Sequence, residues 1–109
     1  LDVDSAGHWQ RTMQGHAAAN VIPVAAANRY GTEVVVPCRE NGGQHSALRF
    51  YGTSFLTDET GAVVAQAGRD QDEVLTASYD FAAIRQARME WGLFRDRRPA
   101  CYGAICDLR

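Results

Sequence analysis

The sequence contains no lysine, and all 11 of its basic residues are arginine. A catalytic site that requires an amine side chain therefore cannot be completed within these 109 residues. The sequence also lacks any apolar run of about 18 residues, the length that a membrane-spanning helix requires. Its formal charge of −2 and isoelectric point near 5.9 provide no positive field for a phosphate backbone. We therefore expect neither a membrane nor a nucleic acid among its partners.

Cysteine is also scarce: Cys38, Cys101 and Cys106 are present, and no two of them form a C-x-x-C pair. Since no histidine stands at zinc-ligand spacing beside them, we predict neither a disulfide framework nor a metal site. The sequence opens at Leu1 without the charged and apolar segments that a secretory signal requires. We expect a cytoplasmic protein with reduced thiols, and the absence of an initiator methionine indicates a fragment of a longer chain.

Hydrophobic residues make up 46% of the sequence and charged residues 22%, which predicts one small soluble domain over residues 1–109. Two amphipathic helices are predicted, over residues 6–20 and 81–91, because Asp4, Ser5 and Asp80 are favourable N-cap residues. The apolar spacing places four side chains on the inner face of the first helix and two on that of the second: Trp9, Met13, His16 and Ala17, then Ile84 and Trp91.

Five strands are predicted: residues 21–27, 32–36, 48–56, 62–65 and 73–79. The first two are expected to pair as a hairpin, and the next two around a turn that ends at Gly61. Residues 38–46 contain Asn41-Gly42-Gly43, which predicts a flexible exposed loop. This order indicates an α/β layered fold with one sheet and both helices on one face. Because strand 21–27 is apolar throughout and requires cover on both faces, part of the fold is expected to lie outside this chain.

Four short motifs occur in order along the chain: Asn28-Arg-Tyr-Gly31, Phe50-Tyr-Gly-Thr-Ser-Phe55, Thr60-Gly-Ala-Val-Val64 and Tyr79-Asp-Phe81. Together they resemble the C-terminal part of the nitrilase superfamily, whose members are carbon-nitrogen hydrolases. Two further segments are most similar to the N-carbamoylputrescine amidohydrolases within it: His8-Trp-Gln-Arg-Thr-Met-Gln-Gly-His-Ala17 and Trp91-Gly-Leu-Phe-Arg-Asp-Arg-Arg-Pro99. The resemblance covers nearly the whole chain.

The resemblance implies a four-layer αββα sandwich, of which this chain supplies the later part. It also implies a mechanism in which a glutamate takes the proton of a cysteine thiol and the thiolate attacks a ureido carbonyl, while a lysine and a backbone N–H stabilise the oxyanion. In the family all three side chains lie upstream of this segment, so no residue of this chain is expected to be catalytic. No cofactor is implied, and the expected protein is a homo-oligomer that binds a small carbamoyl amine.

Two residues are candidates for substrate contact. His16, on the predicted inner face of the first helix, either reaches the substrate pocket or packs with one satisfied hydrogen bond. Asn28 ends the predicted strand 21–27, where α/β folds often place site residues, although asparagine also forms turns there. The arginine-rich corner at residues 95–99 is expected to order the tail through ion pairs with carboxylates such as Asp96.

The sequence leaves three interpretations of function. The first is the C-terminal portion of an enzyme that converts N-carbamoylputrescine to putrescine, ammonia and carbon dioxide in polyamine biosynthesis. The second is another carbamoyl-amine or ω-amide hydrolase of the same superfamily, such as a β-ureidopropionase-like protein, which the segment 91–99 disfavours. The third is a non-catalytic assembly module. The mass of the native gene product separates the module from the two enzymes, because a product near 11.9 kDa favours the module and one near three times that mass favours an enzyme.

Overall fold

A computed structural model describes residues 3–107 as two compact units, which divide between Tyr79 and Asp80. The first unit contains a helix and five short strands: α1 (Ala6–Asn20), β1 (Ala25–Ala26), β2 (Tyr30–Val34), β3 (Ala47–Tyr51), β4 (Phe55–Thr57) and β5 (Val63–Gln66). The second unit contains α2 (Phe81–Trp91) and two 3-10 turns, Pro99–Cys101 and Gly103–Ile105. This mixture of helices and strands agrees with the α/β class that the sequence predicts.

Both helices begin and end where the sequence predicts them. The Asp80 carboxylate accepts hydrogen bonds of 2.9 and 3.0 Å from the backbone N–H groups two and three positions further on. These bonds satisfy two of the donors that the first turn of α2 leaves free. At the start of α1, the Asp4 carboxylate accepts a 3.0 Å hydrogen bond from the N–H of Ala6. The polar residues before each helix therefore fix its first turn.

The strands form two antiparallel sheets, so the prediction of a single five-stranded sheet is wrong. One sheet has the strand order β1-β4-β5, and the other consists of β2 and β3, which we call the β2–β3 ribbon. The predicted hairpin between the first two strands is also wrong, because β1 pairs with β4 and β2 pairs with β3. The predicted hairpin around the turn that ends at Gly61 is confirmed as β4 and β5.

The predicted strand 48–56 is interrupted at Gly52 and Thr53, where the backbone leaves strand geometry, and it forms β3 and β4 instead. Both residues have positive φ, 59° and 57°, which strand geometry does not allow. A β-branched residue such as Thr53 adopts this conformation only where its surroundings enforce it. Its N–H donates to the carbonyl oxygen of Gly68 at 3.0 Å, and its hydroxyl donates to that of Gly52 at 2.7 Å. This interruption directs β3 and β4 into different sheets.

Two other predicted strands are shortened or missing. Residues 21–27 form only β1, because Val21 ends α1 in the left-handed conformation with φ of 47° and Pro23 lacks a backbone donor. Residues 73–79 form no strand, despite their β-branched side chains. This segment is instead attached to β4 by the Tyr79 hydroxyl, which donates to the carbonyl oxygen of Thr57 at 3.0 Å.

The core of the first unit forms where α1 packs on the three-stranded sheet. The ring of Trp9 meets that of Phe55 edge to face, with centroids 5.2 Å apart. Phe55 and Ala17 are fully buried. The side-chain Nε2 of Gln14 donates to the carbonyl oxygen of Gly61 at 2.8 Å, which ties the helix to the β4–β5 turn. The prediction that Trp9 and Ala17 lie on the inner face of this helix is confirmed.

In the second unit the prediction for α2 is half right. Ile84 is buried as predicted, but Trp91 is 71% exposed, so its predicted inward packing is wrong. Helical periodicity identifies the residues that share a face, and it does not say whether another element covers the end of that face.

Gly61→Ala is expected to destabilise the protein more than Gly31→Ala. Both glycines have positive φ, 87° and 90°, so alanine adds about 1–2 kcal/mol of strain at either position. At Gly61 a Cβ would also lie 2.6 Å from the backbone oxygen of Gln14, whereas nothing lies within 4 Å at Gly31. This overpacking adds about 1–3 kcal/mol. Urea denaturation measures both losses, and equal losses would contradict the packing of α1 against this turn.

Stability is expected to decrease in acid because of Asp58. Its Oδ1 accepts hydrogen bonds from the hydroxyl and N–H of Thr60, at 2.7 and 2.9 Å, and from the N–H of Ala62 at 3.0 Å. These bonds, chiefly that of the Thr60 hydroxyl, lower the pKa of Asp58. The stabilisation is complete above the pKa of the unfolded carboxyl and is lost as the pH falls through the lower folded pKa. Urea denaturation across this acid range should show a free energy of unfolding that depends less on pH in Asp58→Asn than in the parent protein, and an equal dependence would contradict this role of Asp58.

Candidate functional site

Asn28 lies between the two sheets of the first unit, after the end of β1 and before the start of β2. Its backbone N–H donates to Oγ of Ser54 at 2.9 Å, and its side-chain Nδ2 donates to the carbonyl oxygen of Gly52 at 3.0 Å. Its Oδ1 accepts a hydrogen bond of 2.9 Å from the N–H of Arg29. A side-chain amide has two donor hydrogens and two acceptor lone pairs, so these bonds leave one of each for a further partner.

The partners of Asn28 are residues that sequence reasoning missed. Ser54 also donates through its hydroxyl to the carbonyl oxygen of Asn28 at 3.3 Å. The N–H of Gly52 donates to the carbonyl oxygen of Arg29 at 2.8 Å. We call Asn28, Gly52, Thr53 and Ser54 the Asn28 junction. The sequence does show Gly-Thr-Ser between two strand-forming segments, but the pairing with Asn28 spans 24 and 26 residues and has no local signal.

Charged and aromatic side chains flank this junction at the start of the β2–β3 ribbon. The Arg29 guanidinium lies 3.9 Å from the ring centroid of Phe50 and donates to both carboxylate oxygens of Glu33, at 2.8 and 3.0 Å. A hydrogen bond from Tyr30 to the Asp72 carboxylate raises the pKa of the tyrosine hydroxyl. The backbone of the junction is therefore bordered by side chains that already have partners within the chain.

His16 does not lie on the inner face of α1, so that part of its prediction is wrong. Its side chain is exposed, whereas the adjacent Ala17 is fully buried. Consecutive residues of a helix are separated by about 100° around its axis, so a buried Ala17 places its neighbour at the flank of the buried face. The prediction that His16 contacts a substrate stays a prediction, as does that for Asn28.

The three cysteines are all free and exposed. Across residues 3–107, no group of three or more His, Cys, Asp and Glu side chains is arranged to hold a metal ion. Within the same range, no helix is both long and apolar enough to cross a membrane.

Comparison with known proteins identifies the family. The sequence profile of carbon-nitrogen hydrolases matches residues 4–89. This chain belongs to the carbon-nitrogen hydrolase family. The crystal structure of a carbon-nitrogen hydrolase from Helicobacter pylori G27 superposes on it with a TM-score of 0.75 and 30% sequence identity, covering 98% of this chain and 37% of that one. The predicted nitrilase-like α/β fold is thereby confirmed.

Two relatives of this carbon-nitrogen hydrolase chain show which named enzymes it is similar to. A citrullinase from Francisella tularensis is 51% identical over 104 residues, which are 95% of this chain and 34% of that protein. An N-carbamoylputrescine amidase from Arabidopsis thaliana is 47% identical over 106 residues, 97% of this chain and 34% of that protein. The chain therefore spans about a third of the length of the relatives it matches.

The arginine-rich corner of this carbon-nitrogen hydrolase chain contains the ion pair that the sequence predicts. Nε and Nη2 of Arg95 donate to the two carboxylate oxygens of Asp96 at 2.8 and 3.1 Å, and this hydrogen bonding lowers the pKa of Asp96. Nε of Arg97 donates to the carbonyl oxygen of Phe94 at 3.0 Å. Since both members of the pair are exposed, water screens it and its effect on stability is small.

Proposed function

We propose that this chain is the C-terminal portion of an enzyme that converts N-carbamoylputrescine to putrescine, ammonia and carbon dioxide. The observation that supports the proposal best is the identity of 42–47% to N-carbamoylputrescine amidases of four plants, over 97–98% of this chain. The reaction would belong to polyamine biosynthesis. We further propose that the complete enzyme is a cytoplasmic homo-oligomer.

The proposed chemistry needs groups that this chain does not provide. A glutamate would take the thiol proton of a cysteine, the thiolate would attack the ureido carbonyl, and a lysine would stabilise the oxyanion. The sequence contains no lysine, so at least that group must come from elsewhere in the complete protein. The contribution of this chain would be to position substrate, through the unused donor and acceptor of Asn28 and through the exposed imidazole of His16.

Citrulline is the second candidate substrate, because the citrullinase of Francisella tularensis is 51% identical to this chain. Both molecules present a ureido group at the end of a short alkyl chain. They differ at the other end, where N-carbamoylputrescine has a single ammonium and citrulline has an ammonium and a carboxylate. Discrimination between them therefore depends on whether the pocket offers a cation to the carboxylate.

Ammonia release by the purified complete protein tests the proposal. With the two compounds supplied at equal concentration, we expect kcat/KM to be higher for N-carbamoylputrescine than for citrulline. The opposite order would favour the citrulline interpretation. No release from either compound would contradict both.

His16→Gln in the complete enzyme tests the proposed substrate contact of this chain. Because the side chain is exposed on α1, the substitution is expected to leave the melting temperature unchanged. We expect KM for the favoured substrate to increase several-fold with little change in kcat. Arg11→Gln, on the same helix and also exposed, is the control and should leave KM unchanged. An unaltered KM in His16→Gln would remove this residue from the binding site.

A further inference from the structure

Asn41 holds the loop that connects β2 to β3. Its Oδ1 accepts three hydrogen bonds, from the backbone N–H groups of Cys38 at 3.0 Å, Gly43 at 3.1 Å and Gln44 at 3.2 Å. Its Nδ2 donates to the carbonyl oxygen of Val36 at 2.9 Å. The loop is exposed as predicted, but one side chain organises its backbone.

The residue after Asn41 gives this side chain a reactivity of its own. The backbone nitrogen of Gly42 can attack the side-chain amide carbon of Asn41, forming a five-membered succinimide and expelling ammonia. Water then opens the ring to aspartate or, by cleavage of the other C–N bond, to isoaspartate. The net change takes up one water and releases one ammonia, so no further reactant is needed. Glycine at the attacking position favours this cyclisation because it has no Cβ to obstruct it.

Both reacting groups are engaged while the loop is closed. The N–H of Gly42 donates to the carbonyl oxygen of Arg39 at 3.2 Å, and the departing Nδ2 of Asn41 is bonded to Val36. Cyclisation therefore requires these bonds to break first. We propose that Asn41 is a deamidation site whose modification is controlled by the opening of its own loop.

The product cannot rebuild the closed loop. An ionised aspartate has no hydrogen to donate to the carbonyl oxygen of Val36. Its second carboxylate oxygen takes the position of the Asn41 nitrogen and repels that carbonyl oxygen. Isoaspartate also lengthens the backbone by one methylene, which displaces the N–H groups of Gly43 and Gln44 from their acceptor. The first bond beyond the β2–β3 ribbon, from the N–H of Val35 to the carbonyl oxygen of Ser46 at 2.9 Å, adjoins this loop. Deamidation is therefore expected to loosen the end of the ribbon irreversibly.

The proposal is tested by following the complete protein in mildly alkaline buffer by peptide mass spectrometry. Asn41 is expected to convert to acid several-fold faster than Asn20 and Asn28, which precede Val21 and Arg29 and serve as internal controls. Conversion at Asn41 should accelerate when the protein is unfolded in urea. Conversion no faster than at the two controls, or unchanged by unfolding, would overturn the proposal.

Two alanine variants separate loop opening from the chemical step. Gly42 and Gly43 have φ of 66° and 73°, and a Cβ at either position would meet nothing within 4 Å. Both substitutions therefore loosen the closed loop by strain alone. Gly43→Ala keeps the reactive pair and should accelerate conversion roughly 5- to 30-fold. Gly42→Ala obstructs the attacking nitrogen and should slow conversion in urea, where the loop is open in every variant. In urea, Gly43→Ala should match the parent protein, and a failure of either variant to shift the rate as stated would overturn the proposal.

Discussion

The 109-residue chain alone is expected to release no ammonia from N-carbamoylputrescine, whereas the complete protein is expected to do so. The proposed catalytic group combines a cysteine thiolate with a glutamate base and a lysine that stabilises the oxyanion, and this chain contains no lysine. Its cysteines are all exposed, outside any enclosed site of the described residues. Loss of one member of such a catalytic group lowers the rate by at least about four orders of magnitude.

The control for this expectation changes each of Cys38, Cys101 and Cys106 to serine in the isolated chain and measures ammonia with the same assay. All three variants should remain as inactive as the parent chain. Turnover by the isolated chain that disappeared in one variant would place the nucleophile within these residues and overturn the assignment of catalysis to the rest of the enzyme.

Phe55→Ala is expected to cost about 3–5 kcal/mol of unfolding free energy. Phe55 is fully buried in β4, and its ring meets Trp9 edge to face. The substitution removes both the buried apolar surface and the contact that joins α1 to the sheet. Urea denaturation followed by tryptophan fluorescence measures the loss, since Trp9 reports directly on this contact.

Val64→Ala provides the matched control for Phe55→Ala. Val64 lies on β5 of the same sheet and is 49% exposed, so truncation there should cost little. Phe55→Leu keeps most of the apolar volume and should give an intermediate loss. A loss for Phe55→Ala no larger than that for Val64→Ala would show that the Trp9 contact does not stabilise the unit.

Helices were the part of this fold that the sequence could predict. The limits of α1 and α2 depend on residues close in sequence, namely the cap residues Asp4 and Asp80 and the shortage of β-branched residues between them. Those interactions are complete within a few turns. Local pattern is therefore sufficient to place a helix.

Strand pairing could not be predicted in the same way, because it depends on distant partners. Residues 73–79 have the composition of a strand and pair with no other, while β1 is only two residues long and pairs with β4 far along the chain. The left-handed conformation of Thr53 is unexpected for a β-branched residue, so nothing in the pattern indicated two sheets.

In the candidate site, too, the sequence predicted the local features and missed the contacts between distant residues. The position of Asn28 at the end of a strand followed from the apolar run before it, but its bonds to Gly52 and Ser54 required the folded chain. The inward orientation predicted for His16 failed because a shift of one residue separates a buried from an exposed position on a helix. Periodicity fixes a face to within about one residue, and a binding site needs finer placement than that.

The thin core of the first unit determines how its unfolding responds to heat. Apart from Phe55, the apolar residues buried there among those described are small or medium-sized: Ala6, Ala17 and Val21. The heat-capacity increment of unfolding comes mainly from newly hydrated apolar surface, about 12–15 cal/mol/K per residue in compact domains. A unit that buries so little should show a smaller increment and hence a flatter curve of stability against temperature. Its calorimetric transition should therefore be broad, with a low peak of excess heat capacity.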